Sequence, residues 1–311
     1  MIENELMPCK NVFFILNVVK DFVMKYVSQV YKKALMGAMM MLFCWGTTLQ
    51  ASPQLLIYPQ AGVKSLLTLI DHAKQSIDLV MYGFTDLRLY RALLAAKKRG
   101  VKVRVLLQRA PYKAEDENTA MAQNLRKAAI KLRWSNPAFS LTHQKTLIID
   151  NTKALIMTFN FTHSTFKTTR NFAILTSNRS AVKEIEHVFQ ADWNRLPVTL
   201  SNKDLLWSPE NSLDKLLKYI ASAHKTLLVY NQEMSQYQIV GALVKAEKRG
   251  VKVKVIVPYA NRKEFLGKLR YLKCHGIPVR ADKVLYIHAK AMLADYKTSR
   301  QATFVGSMNF S

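Results

Sequence analysis

Two stretches of this chain, 150 residues apart, are nearly the same sequence. ALLAAKKRGVKVRVLLQ (Ala92 to Gln108) and ALVKAEKRGVKVKVIVP (Ala242 to Pro258) share Ala-Leu, Ala, Lys-Arg-Gly-Val-Lys-Val and a further Val. Each reads as a helix with a basic last turn, a glycine stop at Gly100 or Gly250, and a strand that alternates Val with Lys or Arg before turning continuously apolar. The same interval separates SIDLVMY (Ser76 to Tyr82) from TLLVYNQ (Thr226 to Gln232). Each of these is an apolar strand behind a helix, GVKSLLTLIDHAKQ in one copy and SLDKLLKYIASAHK in the other. Helix, strand, helix, strand, twice over, restricts the chain to a duplicated α/β protein: two similar lobes, each a mostly parallel sheet flanked by helices.

Composition agrees with a folded chain and says something about its partner. Half of the 311 residues are apolar, which excludes disorder and low-complexity linker. Lys and Arg outnumber Asp and Glu by 46 to 21, a net charge of +25, or about one excess positive charge per twelve residues. Such a surplus calls for an anionic partner, nucleic acid or a lipid headgroup surface, and charge alone does not separate the two.

The first 51 residues read as a leader, with a start at either Met1 or Met24. Lys25, Lys32 and Lys33 precede the apolar run Ala34 to Leu49, and Leu-Gln-Ala before Ser52 offers a cleavage point after Ala51. The expectation is an exported protein, periplasmic or secreted, with an uncleaved inner-membrane anchor as the alternative. Cleavage would remove Cys9 and Cys44 and leave Cys274 alone, so that no intrachain disulfide could form. It would take away only two net positive charges, leaving the basic character in the body of the protein. The lobes are then expected at 52–198 and 199–311.

Past each repeat comes the segment that carries chemistry. The first copy reads THQKTLIIDNTKALIMTFNFT, with His143, Lys145, Asp150, Thr158 and Asn160. The second reads IHAKAMLADYKTSRQATFVGSMNFS, with His288, Lys290, Asp295, Ser307 and Asn309. His-x-Lys, four residues and Asp is the spacing in both. Strand alternation puts His and Lys on one face, an imidazole beside an ammonium, as a site for phosphate. One such match in a chain with seven histidines is weak; two at the same place in both copies of a repeat are not. No run of His, Cys or carboxylates stands at metal-ligand spacing.

At these residues the sequence resembles the phospholipase D superfamily, whose signature is His-x-Lys-x4-Asp followed by Gly-Ser-x-Asn, twice in bilobal members. The resemblance covers residues 52 to 311. It implies one active site at the lobe interface, acting on a phosphodiester without metal or cofactor, in a two-lobe monomer. It further implies that one histidine, expected to be His143, attacks phosphorus while His288 protonates the leaving oxygen. Lys145, Lys290, Asn160 and Asn309 would bind the nonbridging oxygens, with hydroxyl donors from Thr158 and Ser307, while Asp150 and Asp295 orient side chains. The implied activity is phospholipase D-type hydrolysis or transfer of phospholipid headgroups, at a membrane surface. The alternatives are a nonspecific endonuclease, a cardiolipin synthase-like transferase and an inactive phosphate-binding remnant.

Three departures stand out. Met157 replaces the signature glycine in the first copy. Ten residues instead of six separate Asp295 from Gly306, which predicts a longer turn at Tyr296 to Ala302. In the first copy the motif is followed by a strand, Asn171 to Thr176, and a helix, Ser180 to Trp193, with no counterpart after Asn309. The second lobe is therefore expected to be truncated and to leave an open sheet edge beside the site.

Overall fold

A computed structural model describes residues 9–17, 52–259 and 263–310. The apolar run at Ala34 to Leu49, Met24 and the expected cleavage point lie outside the described residues. Strand β1 spans Cys9–Asn17. The first lobe follows with β2 (Gln54–Tyr58), α1 (Lys64–Asp71), β3 (Ser76–Met81), α2 (Leu87–Lys98), β4 (Lys102–Leu107), α3 (Thr119–Lys127), β5 (Lys131–Trp134), β6 (Leu141–Thr142), β7 (Thr146–Ile149), β8 (Lys153–Met157), β9 (Thr169–Thr176) and α4 (Arg179–Asn194). The second lobe has β10 (Leu205–Ser208), α5 (Ser212–Ala221), β11 (Thr226–Tyr230), α6 (Tyr237–Lys248), β12 (Lys252–Pro258), α7 (Leu266–Cys274), β13 (Val279–Asp282), β14 (Tyr286–Ile287), β15 (Ala291–Ala294) and β16 (Ala302–Gly306). The repeated segments form matching elements, and Gly100 and Gly250 end their helices with φ of 92° and 90°, a conformation that favours glycine.

Each lobe is built on a mixed sheet. In the first, β3, β4 and β5 are parallel, as the repeat predicts, whereas β7, β8, β9 and β2 join antiparallel. The sheets are thus less parallel than expected, because the motif segments return as hairpins rather than as helical crossovers. The second sheet repeats this plan with β11, β12 and β13 parallel and β15 and β16 antiparallel. The four extra residues of the second motif fall in the turn between β15 and β16. The edge that was expected to stand open beside β16 is occupied: β1, expected within the leader, lies antiparallel between β16 and β10.

Side chains of each sheet alternate between two cores. One face of the first sheet packs under α1, α2 and α3, and Met157, fully buried, points into that core. The signature glycine's replacement is thereby a core residue. One face of the second sheet packs likewise under α5, α6 and α7. The other faces of both sheets share a third cluster with α4, in which Ile148, Ile156 and Ile174 meet Val182, Val188 and Phe189 and then Leu205, Trp207 and Val305. Helix α4 is the wedge that joins the lobes. Its buried Glu184 accepts the indole N–H of Trp207 at 2.9 Å and the backbone N–H groups of Ser201 and Asn202 at 2.6 Å each.

At the wedge's other side, Arg104 from β4 makes a two-pronged ion pair with Asp78 of β3, both contacts 2.7 Å. The guanidinium lies over the rings of Phe189 and Trp193 of α4, 4.8 and 5.5 Å from their centroids. Asp78 is 1% exposed, so Arg104→Ala would strand a buried carboxylate and should cost about 3–5 kcal/mol. The double variant D78L/R104M should recover most of that loss, because replacing both charges removes the desolvation cost with the attraction. Urea denaturation of the three proteins measures both effects.

Candidate active site

Each His-x-Lys segment lies in a three-residue gap between strands that belong to different sheets. His143 follows β6, which pairs with β1 in the second sheet, and precedes β7 in the first. His288 follows β14, which pairs with β9 in the first sheet, and precedes β15 in the second. The segments are therefore connectors rather than strand interiors as expected. The alternation still holds, with Gln144 and Ala289 buried on the opposite side. Crossing from sheet to sheet carries each histidine to the lobe boundary.

There each imidazole is held by the other lobe. His143 Nδ1 lies 2.9 Å from the backbone carbonyl of Ser307. His288 Nδ1 lies 3.1 Å from Oδ1 of Asn171 on β9, and the imidazole also donates to the backbone carbonyl of Thr158. Carbonyl oxygens only accept, so the Nδ1 atoms carry the protons and both Nε2 atoms keep lone pairs. The lysines are fully buried. Lys145 Nζ donates to the carbonyl of His143 at 2.7 Å and lies 4.8 Å from the ring centre of Tyr82, which itself packs edge-on against His143. Lys290 Nζ donates to the carbonyl of His288 at 2.7 Å and to Gln232 Oε1 at 2.6 Å.

Charge follows from this crowding. Burial, then the Lys145 and Lys290 ammonium groups, hold His143 well below the ordinary imidazole range. His288 is lowered in the same way, by burial and then by Lys290 and Lys145. All four groups thus share one place, and both histidines are neutral at pH 7. Burial brings Lys290 down to about 7, against a partly offsetting Glu233. Glu117 moves up because burial outweighs the attraction of Lys145.

The other expected site residues divide. Asn160 and Asn309 each keep a buried side-chain oxygen with no hydrogen-bond partner among the described residues, so that part of their amides is not spent on the fold. Thr158 was expected to donate its hydroxyl to phosphate; instead it donates to Asn171 Oδ1 at 2.8 Å and accepts the N–H of Phe172 at 3.0 Å. Ser307 contributes its backbone carbonyl. Asp150 and Asp295 stand at the far ends of β7 and β15, at strand spacing roughly 20 Å along the chain from their histidines. Asp150 accepts the N–H groups of Lys74, Gln75 and Ser76, and Asp295 those of His224, Lys225 and Thr226. Both brace the turn that leads into a central strand, and neither orients a catalytic group directly. Asn171, Gln232, Tyr82 and Glu117 were missed. For Asn171 a signal exists: a basic residue and Asn open both β9, at Arg170-Asn171, and the earlier strand, at Lys10-Asn11.

Because both imidazoles are more acidic folded than unfolded, the unfolded chain binds more protons below about pH 6.5. Stability should be unaffected by them above that pH and should fall as pH drops below it. The same sign applies to Lys290 between about 7 and 10.5, where stability should rise with pH. Urea denaturation between pH 5 and 9 checks this, and His143→Gln or His288→Gln should flatten the acid side.

Comparison with known proteins places this geometry. The family model described as "Cardiolipin synthase, PLD-like domain" matches residues 66–193 and 216–311. A Rickettsia felis protein named phospholipase D is 32% identical over 136 residues, covering 43% of this chain and 64% of the relative. The mitochondrial cardiolipin hydrolase of Xenopus tropicalis is 28% identical over 136 residues, covering 44% and 63%. The chain thus spans less than two thirds of the length of these curated relatives. Among solved structures, the phosphatidylserine synthase of Haemophilus influenzae Rd KW20 shares the fold with a TM-score of 0.61 at 11% identity, over 82% of this chain and 81% of that one. With both motifs inside the matched residues and their histidines meeting across one lobe boundary, the chain belongs to the phospholipase D superfamily.

Proposed function

We propose that this protein is a metal-independent phosphodiesterase that works through a phosphohistidine, with phospholipid as its substrate. The observation that carries the reading is the pair of neutral imidazoles, each locked through Nδ1 by the opposite lobe, between two fully buried lysines. In the first step the Nε2 lone pair of His143 attacks phosphorus and the bond to the leaving oxygen breaks. That oxygen takes a proton from Nε2 of His288. In the second step water loses a proton to His288 and attacks phosphorus; the P–N bond breaks and His143 is restored. His288 must enter the reaction as imidazolium, which the two lysines oppose and the substrate's negative charge supports. Lys145, Lys290, Asn160 and Asn309 hold the nonbridging oxygens.

Two features favour a lipid. The curated relatives carry the names phospholipase D and mitochondrial cardiolipin hydrolase. Exposed apolar groups also stand on the loops that adjoin the site's strands: Tyr112, whose backbone N–H donates to the Tyr82 hydroxyl beside His143, Tyr259, just past β12 with Lys283 against its ring, and Val284, 89% exposed four residues before His288. Rings with lysines alongside suit the boundary between headgroups and acyl chains. Tyr296 and Lys297 likewise sit together on the surface.

The purified chain, offered phosphatidylcholine vesicles and plasmid DNA in EDTA, should cleave the lipid. Loss of turnover in chelator, restored by a divalent ion, would overturn the mechanism; cleavage of DNA alone would make the protein a nuclease. His143→Asn and His288→Asn should each lower kcat by at least a thousandfold, about 4 kcal/mol of barrier. A phosphoryl group trapped on His288 would reverse the two roles. Val284→Asp should weaken vesicle binding severalfold and leave turnover of a short-chain soluble substrate unchanged.

A further inference from the structure

Strand β1 occupies in the second sheet the place that β9 occupies in the first. Three separate pairings say so. On one side β9 pairs with β2, Asn171 opposite Tyr58 and Ile174 opposite Leu55; β1 pairs with β10, Asn11 opposite Ser208 and Phe14 opposite Leu205. Tyr58 and Ser208 are equivalent positions of the 150-residue repeat, and so are Leu55 and Leu205. On the other side β9 pairs with β8, Ala173 opposite Met157, while β1 pairs with β16, Phe13 opposite Gly306; Met157 and Gly306 are the same motif position. At the crossing, β9 pairs in parallel with β14, Arg170 opposite Ile287, and β1 with β6, Lys10 opposite Thr142, each partner being the residue before a motif histidine. Every pairing gives the same equivalence, and in every one Asn11 stands where Asn171 stands.

We infer that Cys9–Asn17 is the second lobe's own copy of β9, delivered from the N-terminal side of the chain, and that Asn11 is the positioning residue for His143. Asn171 shows what the position does: its Oδ1 accepts from the Thr158 hydroxyl and fixes the Nδ1 side of His288. Ser307 is the second lobe's Thr158, and its carbonyl already holds His143. An amide oxygen at the eleventh residue would complete that arrangement, holding Nε2 of His143 toward phosphorus as Asn171 holds Nε2 of His288. The active protein must then retain residues 9–17. Processing after Ala51 would reopen the edge of β16 and remove the amide.

The kinetic part of this inference rests on the proposed phosphodiesterase reading; the strand and the imidazole do not. The test uses the full chain and its variants Asn11→Leu, Asn11→Asp and Asn171→Leu. N11L should shift the imidazole resonances of His143 and spare those of His288, and N171L should do the reverse. N11L should also lower kcat roughly tenfold or more with KM changed less than threefold, since a misaligned nucleophile loses rate rather than binding. N11D, which keeps an acceptor oxygen, should restore most of the rate and move the pH profile. Unchanged His143 resonances in N11L would overturn the role of Asn11. Should N11L fail to fold, hydrogen exchange on the unaltered protein decides: amides of Cys9–Asn17 and Ala302–Gly306 should be protected together, and rapid exchange of the former would overturn the strand. An active native protein whose mass begins at Ser52 would overturn both. A wild type inactive on lipid and DNA would defeat the functional reading alone, leaving the resonance and exchange results to stand.

Discussion

Two ammonium groups buried at one lobe boundary are the constraint around which this protein is arranged. Lys145 and Lys290 have no exposed surface, and the same histidine feels both. A buried charge is costly unless polar groups surround it. Here much of that solvation is neutral: a backbone carbonyl and a tyrosine ring for one lysine, a carbonyl and a glutamine amide for the other. Neutral partners solvate a cation without cancelling it, so its field stays directed at whatever anion enters between the lobes. The histidines pay with their basicity, and the shared core around α4 holds the two halves together against the repulsion.

The duplication has not kept the halves identical. Position 82 is tyrosine and its repeat partner 232 is glutamine, so Lys145 meets a π-face where Lys290 meets a hydrogen-bond acceptor. Next to them, Gly83 corresponds to Glu233. A side chain at position 83 would come within 3.1 Å of the Glu117 carboxylate and 3.3 Å of the Asn160 amide, so the first lobe brings its acid from a loop ahead of α3 and needs glycine to admit it. The second lobe has an acid on the strand's own continuation. Similar elements thus tune their two lysines by different routes.

Much of this was legible in the residues. The Lys-Arg-Gly-Val-Lys-Val repeat carried the helix–strand order of both lobes, because helix stops and strand alternation are local effects. The His-x-Lys pairs were legible because residues two apart in extended chain face the same way. Asp150 and Asp295 misled for a related reason: a fixed spacing says that a residue matters and not where it points, and seven residues of strand carry a carboxylate well away from the histidine. Antiparallel returns through β7 and β8 were hidden because an apolar run reads alike in either direction. Strand β1 was hidden by its position. An apolar segment near the start of a chain is read as a leader, and its partners in β10 and β16 lie beyond the whole first lobe.

That separation bears on how the molecule comes to be folded. Apart from the two-residue crossings at β6 and β14, the first sheet is assembled from pairings within one continuous stretch, and it can form as soon as α4 has been made. The second sheet cannot close in that way, since β1, which lies between β10 and β16, precedes the whole first lobe in the chain, whereas both of its neighbours follow that lobe. Closing a loop of nearly the whole chain is slow, and until it happens an apolar strand and an unpaired sheet edge coexist, each able to pair with another molecule. During synthesis β1 is a ligand waiting for its receptor. The interval before they meet is when this protein is most exposed to strand exchange between copies and to aggregation, and when a chaperone that shields extended apolar segments would have the most effect on its yield.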